Sequence, residues 1–333
     1  MTILAWIIFL LIVVCLLALD LGVFNKNPHE ISTSEALKMT ALWVGCALLF
    51  SIAIYFSYQN DWFSLRSSSP DATIHNGDGF DAGLQYLTGW LIEKSLSLDN
   101  IFVMVMLFTY FRVPNKYQHE VLFWGILGAL VFRGVMIVLG AALVNKFSWI
   151  MYVFGVLLII SALKMMFGKD DEFDADKSTI IKIIRKIYPV SSTLEGDKFF
   201  TRIDGIRAVT PLFVVLMVIE TTDVMFAVDS IPAVFSITTD SFIVFTSNIF
   251  AILGLRSLYF VLASVMNKFE YLKVSLFILL LFIGVKMLLM DIVHISIGMS
   301  LSIIALILGV GILASYIHSR RIAKNSNEES SID

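Results

Sequence analysis

The chain has 333 residues, 58% of them hydrophobic and 15% charged, with a mean hydropathy of +0.86 and a formal net charge of −3. Such a balance excludes a single water-soluble core. Apolar runs of about 20 residues, long enough to cross a hydrocarbon layer roughly 30 Å thick as helices, recur along almost the whole sequence.

In chain order the apolar pattern predicts about nine transmembrane helices, at 3–24, 36–57, 82–108, 121–144, 148–167, 209–235, 242–263, 274–290 and 297–317. The first two form an N-terminal pair within 1–60. No Lys or Arg precedes Lys26, so the first is expected to be a retained helix rather than a cleaved leader. Cys15 and Cys46 fall inside these spans without the spacing of a zinc or redox motif, and read as packing residues. Segment 58–81 is expected to be an outer loop rich in Ser, Asp and Gly. Residues 168–208 are expected to form a cytoplasmic loop, which opens with the acidic run KDDEFDADK. Its Ile180, Ile181, Ile184 and Ile187 recur near helical spacing, as in a helix lying on a membrane surface or packed on the protein itself. The loop is also the expected docking place for any protein partner. The tail, 318–333, ends in the polar run NSNEESSID and reads as solvated and disordered.

Basic residues set the expected orientation. With the N-terminus outside, seventeen Lys and Arg fall on inward segments and only Arg66 and Lys146 on outward ones. This bias predicts an odd number of spans and a cytoplasmic C-terminus.

An internal repeat runs through the chain. SLDNIFV (97–103) resembles AVDSIPA (227–233), which equates Asp99 with Asp229 and Asn100 with Ser230. VFRGVMIVL (131–139) resembles GLRSLYFVL (254–262), which equates Arg133 with Arg256. FSWIMYVFGVLLIISALKMM (147–166) resembles FEYLKVSLFILLLFIGVKML (269–288). Each unit, 82–167 and 209–290, contains three spans, so the second must enter the membrane from the opposite side. The fold class is therefore an all-α membrane protein with two inverted three-helix repeats, followed by a last helix at 297–317. In such folds the substrate site lies near the midplane at the repeat interface.

Five acids fall within the predicted spans of the two repeats, Glu93 and Asp99 in the third span and Glu220, Asp223 and Asp229 in the sixth. Left facing lipid, they would cost roughly 12 to 18 kcal/mol together. They must face the interior, a cation, water or one another. Lys94, Arg133, Lys164, Arg256 and Lys286 equal them in number, so charge balance alone leaves ion pairing and cation binding both open. All five acids sit on the helices that open the two repeats, and carboxylates packed together recruit a cation or a proton. Glu220 and Asp223 share a helix face, whereas Asp229 would be rotated about 120° away on an unbroken helix. Pro232 is expected either to open the helix beside Asp229 or simply to kink it. Carboxylate, amide and hydroxyl ligands suit hard cations such as Mg²⁺, Ca²⁺ and Mn²⁺. Asn100, Thr221, Thr222, Ser230 and Asn248 are candidate secondary ligands, with Met104 and Met225 as softer ones. Arg133 and Arg256 are the candidate charge partners, each expected either to hold one of the acids and yield it to the ion, or to form a static pair.

The segments EKSLSLDN (93–100), ETTDVMFAVDSIPAVF (220–235) and TSNIFAILGLRSLYF (246–260) resemble the TerC family of membrane proteins, named for tellurium resistance and including Alx-type members. The resemblance runs from about residue 5 to 317. It implies a bacterial inner-membrane protein similar in fold to LysE-type transporters, with Mn²⁺ efflux as the function. By the same resemblance Glu93, Asp99, Glu220, Asp223 and Asp229 are the ion-pathway residues, Mn²⁺ is cargo rather than a resident cofactor, and protons are the candidate coupling ion. An acidic pathway repels an oxyanion, so any tellurite resistance would be indirect. The competing reading is a membrane scaffold in a metal or tellurite stress-response complex. No GxGD, HExxH, GxSxG or GxxxxGK[ST] segment points to an enzyme or an ATP-driven pump, and nothing points to nucleic acid.

Overall fold

The computed structural model describes residues 2–22, 32–147, 149–167, 178–191, 193–203, 205–263, 271–293 and 295–329. The helices are α1 (Thr2–Gly22), α2 (Thr33–Gln59), α3 (Ala72–Asn76), α4 (Gly79–Tyr110), α5 (Asn115–Lys146), α6 (Ile150–Phe167), α7 (Thr179–Ile187), α8 (Pro211–Phe235), α9 (Ser241–Leu253), α10 (Leu255–Ala263), α11 (Leu272–Leu288) and α12 (Ile297–Glu329). Six of them (α1, α2, α5, α6, α8 and α12) are long and apolar enough to cross a bilayer, and a seventh span is added if α9 and α10, bent by 43° at their junction, count as one. A helix satisfies its own backbone groups, which is why these runs take that form in hydrocarbon. The sequence led to an expectation of about nine. α4 and α11 coincide with the other two expected segments, but α4 carries Glu93, Lys94 and Asp99 along its length and α11 has only 17 residues.

Local chemistry fixes the ends. Asp78 caps α4 by accepting from the amides of Phe80 (2.8 Å) and Asp81 (3.3 Å). Asp240 does the same for α9 through Phe242 (2.9 Å) and Ile243 (3.1 Å). Pro211 opens α8 in the first turn, where its missing N–H costs nothing.

α6 and α11 form an antiparallel pair, with Tyr152 hydrogen-bonded to Asp291 at one end and the Phe167 and Phe277 rings 6.3 Å apart at the other. Midway, a Cβ added at Gly155 or Gly284 would lie 3.0 or 2.9 Å from the other's carbonyl oxygen, so the two backbones touch.

The loop at 58–81 is packed: Ile74 is fully buried, the Gly79 amide donates to Gln59 Oε1 (2.9 Å), and Asp71 Oδ2 accepts from Thr238 Oγ1 (3.1 Å) and the Thr239 amide (3.0 Å). Several expectations are corrected. In 168–208 the acidic run lies outside the described residues. There α7 packs Ile181 and Ile184 inward, leaving Ile183 and Ile187 exposed. A small antiparallel hairpin, β1 (Phe200–Ile203) with β2 (Ile206–Val209), departs from the all-α expectation. α8 runs unbroken through Pro232, because that residue stands in the last turn and forfeits only one bond there. The helix break occurs instead at Gly254. The tail is helical as far as Glu329, residues 330–333 lying outside the described set.

Candidate functional site

α4 and α8 cross near their middles and run antiparallel. Gly89 meets Val234, Glu93 faces Ser230, and Asn100 bonds Asp223, so each step up one helix is matched by an equal step down the other. α5 lies along α8 and inserts Arg133 into the crossing.

Arg133 is 1% exposed and organises the centre. Its Nε donates to Asp223 Oδ2 (3.1 Å) and Nη2 to Asp223 Oδ1 (3.0 Å), a two-pronged pair. Its Nη1 donates to Glu93 Oε1, to Ser230 Oγ (3.1 Å) and to Asn248 Oδ1 (3.4 Å). The Asn100 amide adds a bond to Asp223 Oδ1 at 3.1 Å. Two buried carboxylates therefore share one guanidinium, and the net charge of the trio is −1 if all are ionised. Glu93 Oε2 and Asn100 Oδ1 have no hydrogen-bond partner among the described residues.

The eight residues expected to serve as ligands are thus divided. Glu93, Asn100, Asp223, Ser230 and Asn248 converge on Arg133. Asp99 and Asp229, both half-buried, line an adjoining cavity of about 30 Å³ with Met165, Phe226 and Leu280, enough for one or two waters. Ser161 Oγ donates to Asp229 Oδ1 at 2.6 Å. A smaller void of about 10 Å³ opens on the other side of the cluster, between Asn100, Met104, Thr222 and Asp223. Glu220 stands apart from the trio, pressed against α5 where only Gly128 leaves room: a Cβ there would lie 1.9 Å from its Oε1. Its Oε2 is buried without a partner among the described residues. Among those residues, no group of three or more His, Cys, Asp or Glu side chains is arranged to hold a metal ion.

Of the softer and secondary candidates, Met225 is 62% exposed and turned away from the cluster. The Thr221 and Thr222 hydroxyls donate back to the carbonyls of Met217 (2.8 Å) and Val218 (2.7 Å). Arg256 differs from its counterpart: it is 3% exposed, and its described bond runs from Nη1 to His119 Nε2 at 2.8 Å, not to one of the five acids. Sequence reasoning missed His119. It also missed the role of Lys94, whose Nζ donates to the Ala251 carbonyl at 3.1 Å.

The model of the integral membrane TerC family matches residues 79–323. This chain belongs to the TerC family. An uncharacterised membrane protein of Myxococcus xanthus is 45% identical over 315 residues, covering 95% of this chain and 92% of its own length. One from Rickettsia bellii is 43% identical over 313 residues, with 94% and 97% covered. The Escherichia coli K12 protein Alx, provisionally described as a membrane-bound redox modulator, is 41% identical over 302 residues, with 90% of each chain covered. No solved structure matches. As a TerC protein, the chain is a multi-pass integral membrane protein with bacterial relatives. The family match spans every acid of the site and both arginines.

Proposed function

We propose that this TerC protein is a secondary transporter that exports a divalent metal cation, Mn²⁺ first, from the cytoplasm through the carboxylates of α4 and α8. The observation that carries the reading is the pair Glu93 and Asp223, buried mid-helix on crossing helices and compensated by one guanidinium. A cation entering from the Asp99–Asp229 cavity finds carboxylate, amide and hydroxyl oxygens within one side chain's reach of Arg133, a donor set for a hard ion. In this conformation Arg133 occupies the position of positive charge. Replacing it with a divalent ion exchanges one compensating charge for another, and protonation of the same acids would supply the coupling.

The inverted repeat draws support from the crossing. The 130-residue offset that aligns Asp99 with Asp229 also aligns Glu93 with Asp223 and Asn100 with Ser230. The Glu93–Ser230 and Asn100–Asp223 contacts are then one contact made twice, as a twofold axis in the membrane plane requires. With α4 and α11 counted as spans and α9–α10 as one, the chain crosses nine times. The seventeen-to-two distribution of basic residues then favours an inner-membrane protein with the N-terminus outside.

The test is Mn²⁺ uptake by inside-out vesicles holding the purified protein, compared with Mg²⁺ and Ca²⁺. Asp99→Asn and Asp229→Asn, nearly isosteric, are each expected to abolish uptake while membrane insertion persists. Parental uptake in either would remove the site from the pathway. Cys15 and Cys46 are free thiols on α1 and α2. Uptake unchanged in Cys15→Ser, Cys46→Ser separates metal transport from thiol redox chemistry.

A further inference from the structure

The two arginines that the repeat equates stand in unlike surroundings. α5 is a continuous 32-residue helix that delivers Arg133 to Glu93 and Asp223. Its counterpart is broken: α9 ends at Leu253, α10 begins at Leu255, and the axis turns by 43° between them. The alignment of 131–139 with 254–262 sets Val131, within the straight helix, against Gly254 at the break, two residues before Arg256. The bend carries Arg256 away from the crossing, to His119 at the start of α5.

The break is held from α4. In an unbroken helix the Leu255 amide would take the Ala251 carbonyl. Here the Lys94 ammonium takes it at 3.1 Å. A Cβ at position 254 would lie 2.9 Å from Lys94 Nζ and 3.0 Å from Trp43 Cβ, so glycine is what lets the clasp approach the bend this closely. Lys94 adjoins Glu93 in sequence, so the residue that clasps the bend sits next to one of the two acids Arg133 holds.

We infer that Gly254 is a hinge, clasped by Lys94, and that Arg133 and Arg256 hold the Glu93–Asp223 pair in turn, one in each of the two opposite-facing states of the transporter. When α9 and α10 straighten, the Leu255 amide displaces Lys94 from the Ala251 carbonyl and Arg256 swings toward the acids, while Arg133 withdraws. Arg133 already donates to both oxygens of Asp223 and to Glu93 Oε1, so a second guanidinium can fork the pair only after Arg133 leaves. This rests on the transport reading above for its two states. Its own content is the exchange.

The test uses the full chain in liposomes, with Cys15→Ser and Cys46→Ser, and with Lys116→Cys and Ala263→Cys carrying spin labels. Both labelled positions are exposed, on α5 and α10. Double electron–electron resonance is expected to give two distances. Arg133→Gln and Lys94→Met should each enrich the straightened form, and Arg256→Gln should deplete it, with each change in the ratio at least about tenfold, because removing one partner of a buried ion pair strongly destabilises the state that contains it. If Arg133→Gln fails to fold, Arg133→Lys replaces it, since an ammonium cannot fork two carboxylates. Shifts in the same direction for both arginines, or none, overturn the exchange. Mn²⁺ uptake is measured on the same vesicles: uptake without opposed shifts overturns the exchange but leaves transport, whereas opposed shifts without uptake of any divalent ion overturn transport and leave the exchange.

Discussion

Two sets of acids in this molecule are stabilised in different ways. At the α2–α4 end, Asp71 and Asp240 are held by amides and hydroxyls: Thr73, Thr238 and Thr239 for the first, Phe242 and Ile243 for the second. At the α4–α8 crossing, Glu93 and Asp223 depend on one arginine, and Glu220 has an oxygen with no partner among the described residues. Backbone amides cannot leave, so the first arrangement is permanent and belongs to the fold. A guanidinium on a flexible side chain can leave if another cation takes its place. The contrast separates acids fixed by the backbone from acids whose compensating charge can be exchanged.

The sharpest way to break the comparison is to remove the cation. Arg133→Gln leaves two buried carboxylates uncompensated in the bent form, costs that form about 3 to 5 kcal/mol, and is expected to lower thermal stability in detergent at neutral pH by the part of this that Arg256 does not offset. Adding Asp223→Asn should recover a large part of that. Additive losses in the double variant would show that the two side chains do not act as a pair. A smaller effect is expected at the acid outside the trio. Gly128→Ala drives a methyl into the Glu220 carboxylate and should cost about 1 to 2 kcal/mol, since the obstructing atoms end a flexible side chain. Glu220→Ala in the same chain should relieve it, and failure to do so would mean that the strain lies elsewhere in α5.

The smallest change is expected where amides hold the charge. Asp240→Asn keeps an acceptor for the α9 cap and should alter stability by no more than about 0.5 kcal/mol at pH 7. Its signature lies in pH dependence. Burial pushes the Asp240 carboxyl above the ordinary aspartate value, against the pull of its hydrogen bonds. The folded state therefore keeps this proton longer than the unfolded chain does. That contribution is fully present below the unfolded value and is lost as pH rises through the folded one. The asparagine variant should lack this decline, and parallel stability curves for parent and variant would refute the assignment.

The acids and arginines were legible in the sequence because charge in an apolar run is conspicuous, and the repeat singled out Asp99, Asp229 and Arg133. Their partners were not legible. Whether Arg133 meets Glu93 or Asp223, or both, depends on how deep α5 lies against the α4–α8 crossing, a register between helices that apolar periodicity does not encode. Span 242–263 read as one helix because a lone glycine in such a run is ordinary, and only Lys94, 157 residues away from Ala251, reveals the break. Pro232 drew attention that Gly254 merited. The hairpin at 200–209 escaped notice because four-residue strands leave too short an alternation to register.

That hairpin bears on how the protein can be handled. Gly205 forms its turn with a φ of +81° and nothing within 4 Å of a would-be Cβ, and the flanking Ile203 and Ile206 are exposed. A fluorescent reporter or affinity tag inserted there would hang from a short, largely exposed ladder. The same insertion between residues 62 and 78 would unseat Asp71 from Thr238 and Thr239, so a tag there would disrupt the structure it was meant to mark.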